Sequence, residues 1–227
     1  MTVQAVRALN AFDVLFVVTK DGAGDLAAAR REIVARHRTA GPYRTVEIED
    51  PPRPWREAPD YRAAVARWRA QRAERWRAAI AGALSDDETG AFLVWGDPSL
   101  YESTLAIVAQ LGIDHEVIPG ISAIHALTAR HRVPLNRVGR PVHITPARLL
   151  DGGMPADDVV VMLDPGTAFA ALPPDGIEIY WGAYLGTPEE ILISGPLCEV
   201  GDEIARVRAA ARERRGWIFD TYLLRRA

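Results

Sequence analysis

Residues Phe12 to Thr19 read FDVLFVVT, a nearly unbroken apolar run rich in β-branched side chains. A strand that is apolar on both sides must be covered on both faces, which is the situation of a buried strand in a parallel sheet. Parallel neighbours need a crossover of a dozen or more residues, usually a helix. The spacing predicts that helix over Asp25 to Arg38, stopped by Gly41-Pro42, and then an alternating strand over Tyr43 to Glu49. Short apolar strands are predicted again over Ala91 to Gly96, Glu116 to Ile118, Asp158 to Leu163 and Ile177 to Trp181, most of them followed by helices. A helix over Asp202 to Arg215 and a closing strand over Trp217 to Leu224 end the pattern. This alternation defines an α/β class with a largely parallel sheet. Composition shifts near Val138-Gly139-Arg140-Pro141, after which strands crowd together, so two α/β domains are expected, 1–138 and 139–227. A chain of 227 residues is long enough for two such cores.

Between these elements, Pro51 to Asp60 carries four prolines and reads as a loop. Tyr61 to Leu84 reads as a long helix with six arginines, Arg62, Arg67, Arg69, Arg72, Arg75 and Arg77. The favoured reading turns Val65, Trp68, Trp76 and Ile80 inward and solvates the arginines; the sharper one makes them a funnel for a polyanionic substrate. A net charge of -3 marks no nucleic-acid partner. No apolar run is long enough to span a membrane, and the first six residues do not resemble a leader, so a cytoplasmic enzyme is the expectation. The single cysteine, Cys198, excludes an internal disulfide and reads as a small core residue. His37, His115, His131 and His143 lack metal-ligand spacing, so no metal is expected.

The chemistry concentrates where strands run into glycine turns. In Trp95-Gly96-Asp97-Pro98-Ser99-Leu100-Tyr101-Glu102-Ser103-Thr104, Gly96 permits an unusual φ or a close backbone approach, Asp97 can cap a helix, and Pro98 suits a first helical position. The free N–H groups of that helix start would suit a carboxylate or hydroxyls, at the carboxyl end of a strand where open α/β sheets bind ligands. Ile118-Pro119-Gly120-Ile121-Ser122-Ala123 repeats the device, with Ser122 as cap. Val160-Val161-Met162-Leu163-Asp164 is a buried strand ending in a turn, and Tyr180-Trp181-Gly182-Ala183-Tyr184 leaves small residues after a strand. Ser194-Gly195-Pro196-Leu197 reads as a further turn. Read from residues alone, each could be no more than a capped helix or a core strand.

In order and rough spacing, GDPSLY, IPGISA, VVVML and the Gly-Pro-Leu turn resemble the tetrapyrrole methylase family. Val3 to Leu9, the Arg-rich helix and the ending Gly216 to Leu224 narrow the likeness to its cobalamin branch. The resemblance implies two α/β domains, the second with a mixed sheet, and S-adenosylmethionine held in the cleft between them. It implies a homodimer and methylation of a tetrapyrrole carbon, on precorrin-5 at C-1 with loss of acetate. Carried over residue by residue, cofactor contacts fall on Trp95, Gly96, Asp97, Leu100, Ser122, Ala123, Met162, Gly182, Ala183, Tyr184, Gly195 and Pro196. Asp97 and Tyr101 are the candidates for the catalytic site, as positioning groups. Lys20, Tyr101 and Glu102 are the candidates for substrate, and His125 is weighed as a local helix-face histidine. The family's first strand and Gly-rich loop lie ahead of Thr2-Val3-Gln4-Ala5, so a first sheet one strand short, with weakened folding and cofactor binding, is expected. Other readings are a different tetrapyrrole C-methyltransferase, a non-catalytic remnant, or a nucleotide-binding domain, for which Asp21-Gly22-Ala23-Gly24-Asp25 lacks the third glycine.

Overall fold

The computed structural model describes residues 1–19, 24–52, 59–150 and 153–226. The chain forms two compact units, Met1–Ile121 and Ser122–Ala227. The first contains α1 (Val3–Leu9), β1 (Val14–Thr19), α2 (Gly24–His37), β2 (Arg44–Glu49), α3 (Tyr61–Ala83), β3 (Gly90–Phe92) and α4 (Thr104–Leu111). Its sheet has the order β2-β1-β3 and every pairing is parallel. The expected central strand is therefore β1. Its alternate side chains divide between two cores, as a period of two requires. Val14 and Phe16 pack with Ala73, Trp76, Ile107 and Val108, while Leu15 and Val17 pack with Leu9, Phe12 and Val34. An aromatic ladder stitches the first core: Trp76 lies 4.3 Å from Phe92, which lies 5.1 Å from Phe16, both stacked.

The second unit contains α5 (Ala123–His131), β4 (His143–Pro146), β5 (Asp158–Met162), β6 (Ile177–Ala183), β7 (Ile191–Pro196), α6 (Leu197–Arg215) and β8 (Asp220–Arg226). Its mixed sheet runs β4-β5-β8-β6-β7, with β4 and β5 parallel and the other pairs antiparallel. Val159, Val161, Ile179, Trp181, Tyr222 and Leu224 pack against Ile204 and Ala211 of α6. α5 packs against β6, β7 and β8. Beside the sheet, the buried Asp158 carboxylate takes Arg137 Nε at 3.1 Å and Arg225 Nε at 2.6 Å.

Several expectations shift. α5 belongs with the second unit because it packs on that unit's sheet, so the division falls after Ile121 rather than at 138. Residues 116–118 form no strand, and β3 stops at Phe92. Residues 194–196 do not form a free turn; they end β7, a sheet edge, where proline costs no ladder hydrogen bond. Cys198 is exposed on α6. Arg72 is 4% exposed and not solvated. Its Nε stands 2.5 Å from the buried Asp50 carboxylate, and its guanidinium lies over Trp68 and Trp76 at 4.5 and 5.3 Å.

Candidate functional site

In the first unit the residues that matter follow β3, at the carboxyl edge of the parallel sheet. Asp97 caps no helix. Its Oδ1 accepts from Ser99 N at 2.9 Å and also bonds the Ser99 hydroxyl, and Leu100 N returns to Asp97 O at 3.2 Å. The segment is thus a β-turn with Asp first and Pro98 second, the positions those residues favour. The helix waits until Thr104, whose N–H is held by the Glu102 carboxylate. Arg72 Nη1 donates to Ser103 Oγ at 2.9 Å, so the buried Arg72–Asp50 pair also anchors the start of α4.

Asp97 has a second task. Its Oδ2 accepts from Gly120 N at 2.8 Å. The two glycine loops cross so closely that a Cβ on Gly120 would lie 1.9 Å from Gly96 O. Gly96 itself has φ 64°. Both Asp97 oxygens are therefore committed to holding this loop and the next in register. Trp95 and Tyr101 flank the turn, 39% and 45% exposed.

In the second unit Ser122 caps α5, its Oγ accepting from His125 N at 3.4 Å and meeting His125 Nδ1 at 2.8 Å. His125 is thus a locally bonded helix histidine. β5 and β6 both run antiparallel to β8, so their carboxyl ends share one edge of the sheet. Met162 and Gly182 lie there, along with Ala183. Gly182 is constrained, since a Cβ would come within 2.8 Å of Leu127 Cδ1 on α5. That contact lies one helical turn past Ala123. Ser122, Ala123, Met162, Gly182 and Ala183 are thereby gathered by one sheet edge and the helix over it. Gly195 and Pro196 are not: they register with Ile179 and Glu178, roughly 10 Å back along β6. Tyr184 is 4% exposed, and its hydroxyl donates to Trp217 O at 2.7 Å and Ala211 O at 3.2 Å, so only its backbone faces the edge. Lys20 lies outside the described residues.

Non-glycine residues with a left-handed φ cost on the order of 1–3 kcal/mol each and gather at ligand sites. Among the described residues there are four: Tyr101 at 52°, Leu163 at 54°, Tyr184 at 51°, and Arg132 at 58°. Arg132 only ends α5. The other three stand one each in the loops after β3, β5 and β6. Leu163 is also 57% exposed, an apolar side chain presented to solvent at the end of a buried strand. No cluster of metal-ligating side chains occurs among the described residues. No helix among them is long and apolar enough to cross a membrane.

Beneath the second unit's edge, Asp220 accepts from Arg208 Nε at 2.8 Å and Trp181 Nε1 at 3.0 Å. Burial pushes the Asp220 carboxyl above its ordinary value; Arg208 and Trp181 pull it back, and Asp164 adds to the rise. Tyr222 donates to Asp164 at 2.8 Å, and burial first and then that carboxylate push its phenol upward. These groups brace the strand ends from within the core. Sequence reading missed them, along with Arg72, Asp50 and Arg30, because nothing in spacing marks a buried charge whose partner lies far along the chain.

Both units are α/β in architecture, one built on a parallel sheet and the other on a mixed one. The chain belongs to the tetrapyrrole (corrin/porphyrin) methylases, whose family model matches residues 1–201. More particularly, it is 48% identical over 235 residues to the precorrin-6A synthase [deacetylating] of a Sinorhizobium species, covering 100% of this chain and 90% of that protein. A solved cobalamin-synthesis-related protein (CobF) of Corynebacterium diphtheriae is 37% identical, with TM-score 0.83 over 100% of this chain and 92% of that one. Uroporphyrin-III C-methyltransferase of Thermus thermophilus, solved with S-adenosyl homocysteine, shares the fold, with TM-score 0.58 at 15% identity over 99% of this chain and 90% of that one.

Proposed function

We propose that this chain transfers the methyl group of S-adenosylmethionine to C-1 of precorrin-5 and releases the acetyl group as acetate, giving precorrin-6A. The observation that carries the reading is the 48% identity to a deacetylating precorrin-6A synthase along the whole chain. Family membership and the loop geometry of each unit support it.

When bound, S-adenosylmethionine supplies a methyl group already activated by its sulfonium, so the protein contributes mainly position and dryness. On the first unit, Trp95, the Gly96 backbone and Leu100 are the proposed cofactor contacts. Asp97 acts as a positioning residue, since both its oxygens hold the crossing of two loops. Tyr101 and Glu102 stand beside that turn as substrate contacts. On the second unit the proposed contacts are Ser122, Ala123, Met162, Gly182, Ala183 and the Tyr184 backbone, which share one sheet edge. Gly195 and Pro196 stay outside this set. Loss of acetate needs an attacking water, and no side chain in the set is assigned as its base. A cytoplasmic homodimer is part of the same proposal.

The test is to incubate the protein with precorrin-5 and S-adenosylmethionine and follow mass and acetate. A product heavier by methyl and lighter by acetyl, with one acetate per turnover, is expected. Methylation without acetate would move the assignment to another tetrapyrrole C-methyltransferase, and no turnover of any precorrin would leave a non-catalytic binder.

A further inference from the structure

Arg30 sits on α2 with its side chain directed to the carboxyl edge of the first sheet. Its Nε donates to Leu93 O at 3.0 Å, directly after β3. Its guanidinium lies over the Trp95 ring at 5.1 Å. Burial lowers its pKa, and the charge of Glu102 opposes that shift. Glu102 is nonetheless engaged elsewhere, holding Thr104 N, and makes no ion pair with Arg30. Among the described residues, the two terminal nitrogens of Arg30 have no hydrogen-bond partner.

Arg30 is half-buried: Nε is bonded to the protein, and the four N–H groups of the terminal nitrogens are left for solvent or a ligand. Stacking on an indole fixes the guanidinium plane and leaves its edge open, the arrangement that binds a carboxylate through two parallel bonds. Nε is already spent, so the open edge is the one carrying both terminal nitrogens. The place is right as well, since ligands of open α/β sheets sit beyond the carboxyl ends of the strands. Trp95, the ring under the guanidinium, belongs to the turn that the proposed function assigns to the cofactor.

We propose that Arg30 is a substrate-binding residue that takes a side-chain carboxylate of the tetrapyrrole between its terminal nitrogens, with Trp95 and Leu93 O holding it in place. This rests on the tetrapyrrole reading of the site. S-adenosylmethionine also carries a carboxylate, and the experiment separates the two.

The full chain and the variants Arg30→Gln and Arg30→Lys are titrated with uroporphyrin III, a stable tetrapyrrole carrying eight carboxylates, with its octamethyl ester, and with S-adenosyl homocysteine. Precorrin-5 kinetics run in parallel. A charge-assisted bidentate contact is worth enough that Arg30→Gln should weaken uroporphyrin binding about 10-fold or more. Arg30→Lys should restore part of it, the ester should be indifferent to both changes, and the loss in turnover should be carried by KM. Unchanged uroporphyrin affinity would overturn the proposal. So would an equal loss for the ester, or a loss confined to S-adenosyl homocysteine. If Arg30→Gln does not fold, the Arg30→Lys comparison of acid with ester decides alone. Wild-type protein that binds uroporphyrin through Arg30 but does not turn over precorrin-5 would sink the substrate assignment and leave the Arg30 role standing.

Discussion

Replacing Gly120 with alanine attacks the crossing of the two glycine loops directly. The added Cβ would sit 1.9 Å from Gly96 O, 3.0 Å from Gly96 C and 3.3 Å from Asp97 Cα. Ordinary contact begins at 3.4 Å, so the loops must part by about 1.5 Å. No flexible side chain can yield in their place, because all three atoms are backbone. Parting them breaks the 2.8 Å bond from Gly120 N to Asp97 Oδ2. Overpacking costs about 1–3 kcal/mol and a hydrogen bond to a charged group about 1.5–3, so a loss of about 3 kcal/mol or more is expected. For a chain of this size that lowers Tm by roughly 6–12 °C. Activity should fall further than stability, because a displacement of about 1 Å at a positioning loop can cost on the order of 100-fold. Differential scanning calorimetry and kcat/KM at 10 °C below the variant's Tm measure the two effects separately. A Gly120→Ala protein with wild-type Tm and turnover would show that the loops do not cross in this way and that Asp97 does not hold them.

Gly182→Ala should be mild, about 1 kcal/mol or less, since the atoms it meets include the ends of the Leu127 and Leu185 side chains, which can turn away; a Tm loss matching that of Gly120→Ala would refute the distinction. Leu163→Gly should raise stability by about 0.5–1 kcal/mol by relieving a left-handed φ at an exposed residue, while lowering turnover; lower stability in urea unfolding would mean the turn is not strained. Asp220 has a folded-state carboxyl raised by burial, so its contribution is favourable below its unfolded value and is lost as pH rises through the folded value. The stability of wild type minus that of Asp220→Asn should accordingly decline with rising pH in denaturant titrations, and a rising difference would contradict the sign.

Much of the framework was legible because burial on both faces leaves a direct mark on sequence. FDVLFVVT became β1, and DVVVM became β5, each buried through most of its length. The end of β7, Ser194 to Pro196, was read as a turn because Gly195 and Pro196 punctuate it; a sheet edge tolerates both, and only the neighbouring strand reveals the pairing. The Gly96-Asp97-Pro98 turn was located correctly, but its bonding was not. A carboxylate two residues before a free N–H reads equally as a helix cap and as an Asx turn, and the partner that settles its role, Gly120, lies 23 residues away. The charges that brace both units escaped for the same reason. Arg72 looks like its five neighbours on α3 until Asp50, Ser103 and two tryptophans close around it.

β8 lies in the middle of the second sheet, between β5 and β6. Until residues 220–226 are in place, the strands on either side of it are only two separate ribbons, β4 with β5 and β6 with β7. Isolated two-stranded ribbons are marginal in water. With β8 undocked, the buried faces it shares with β5 and β6 stand open as an apolar seam. Its docking joins residues 220–226 to strands as far back as Asp158, so closure is a step of high contact order, slower than the formation of the helices around it. Until that strand docks, the unfinished seam is where a chaperone or an aggregating neighbour would find this protein.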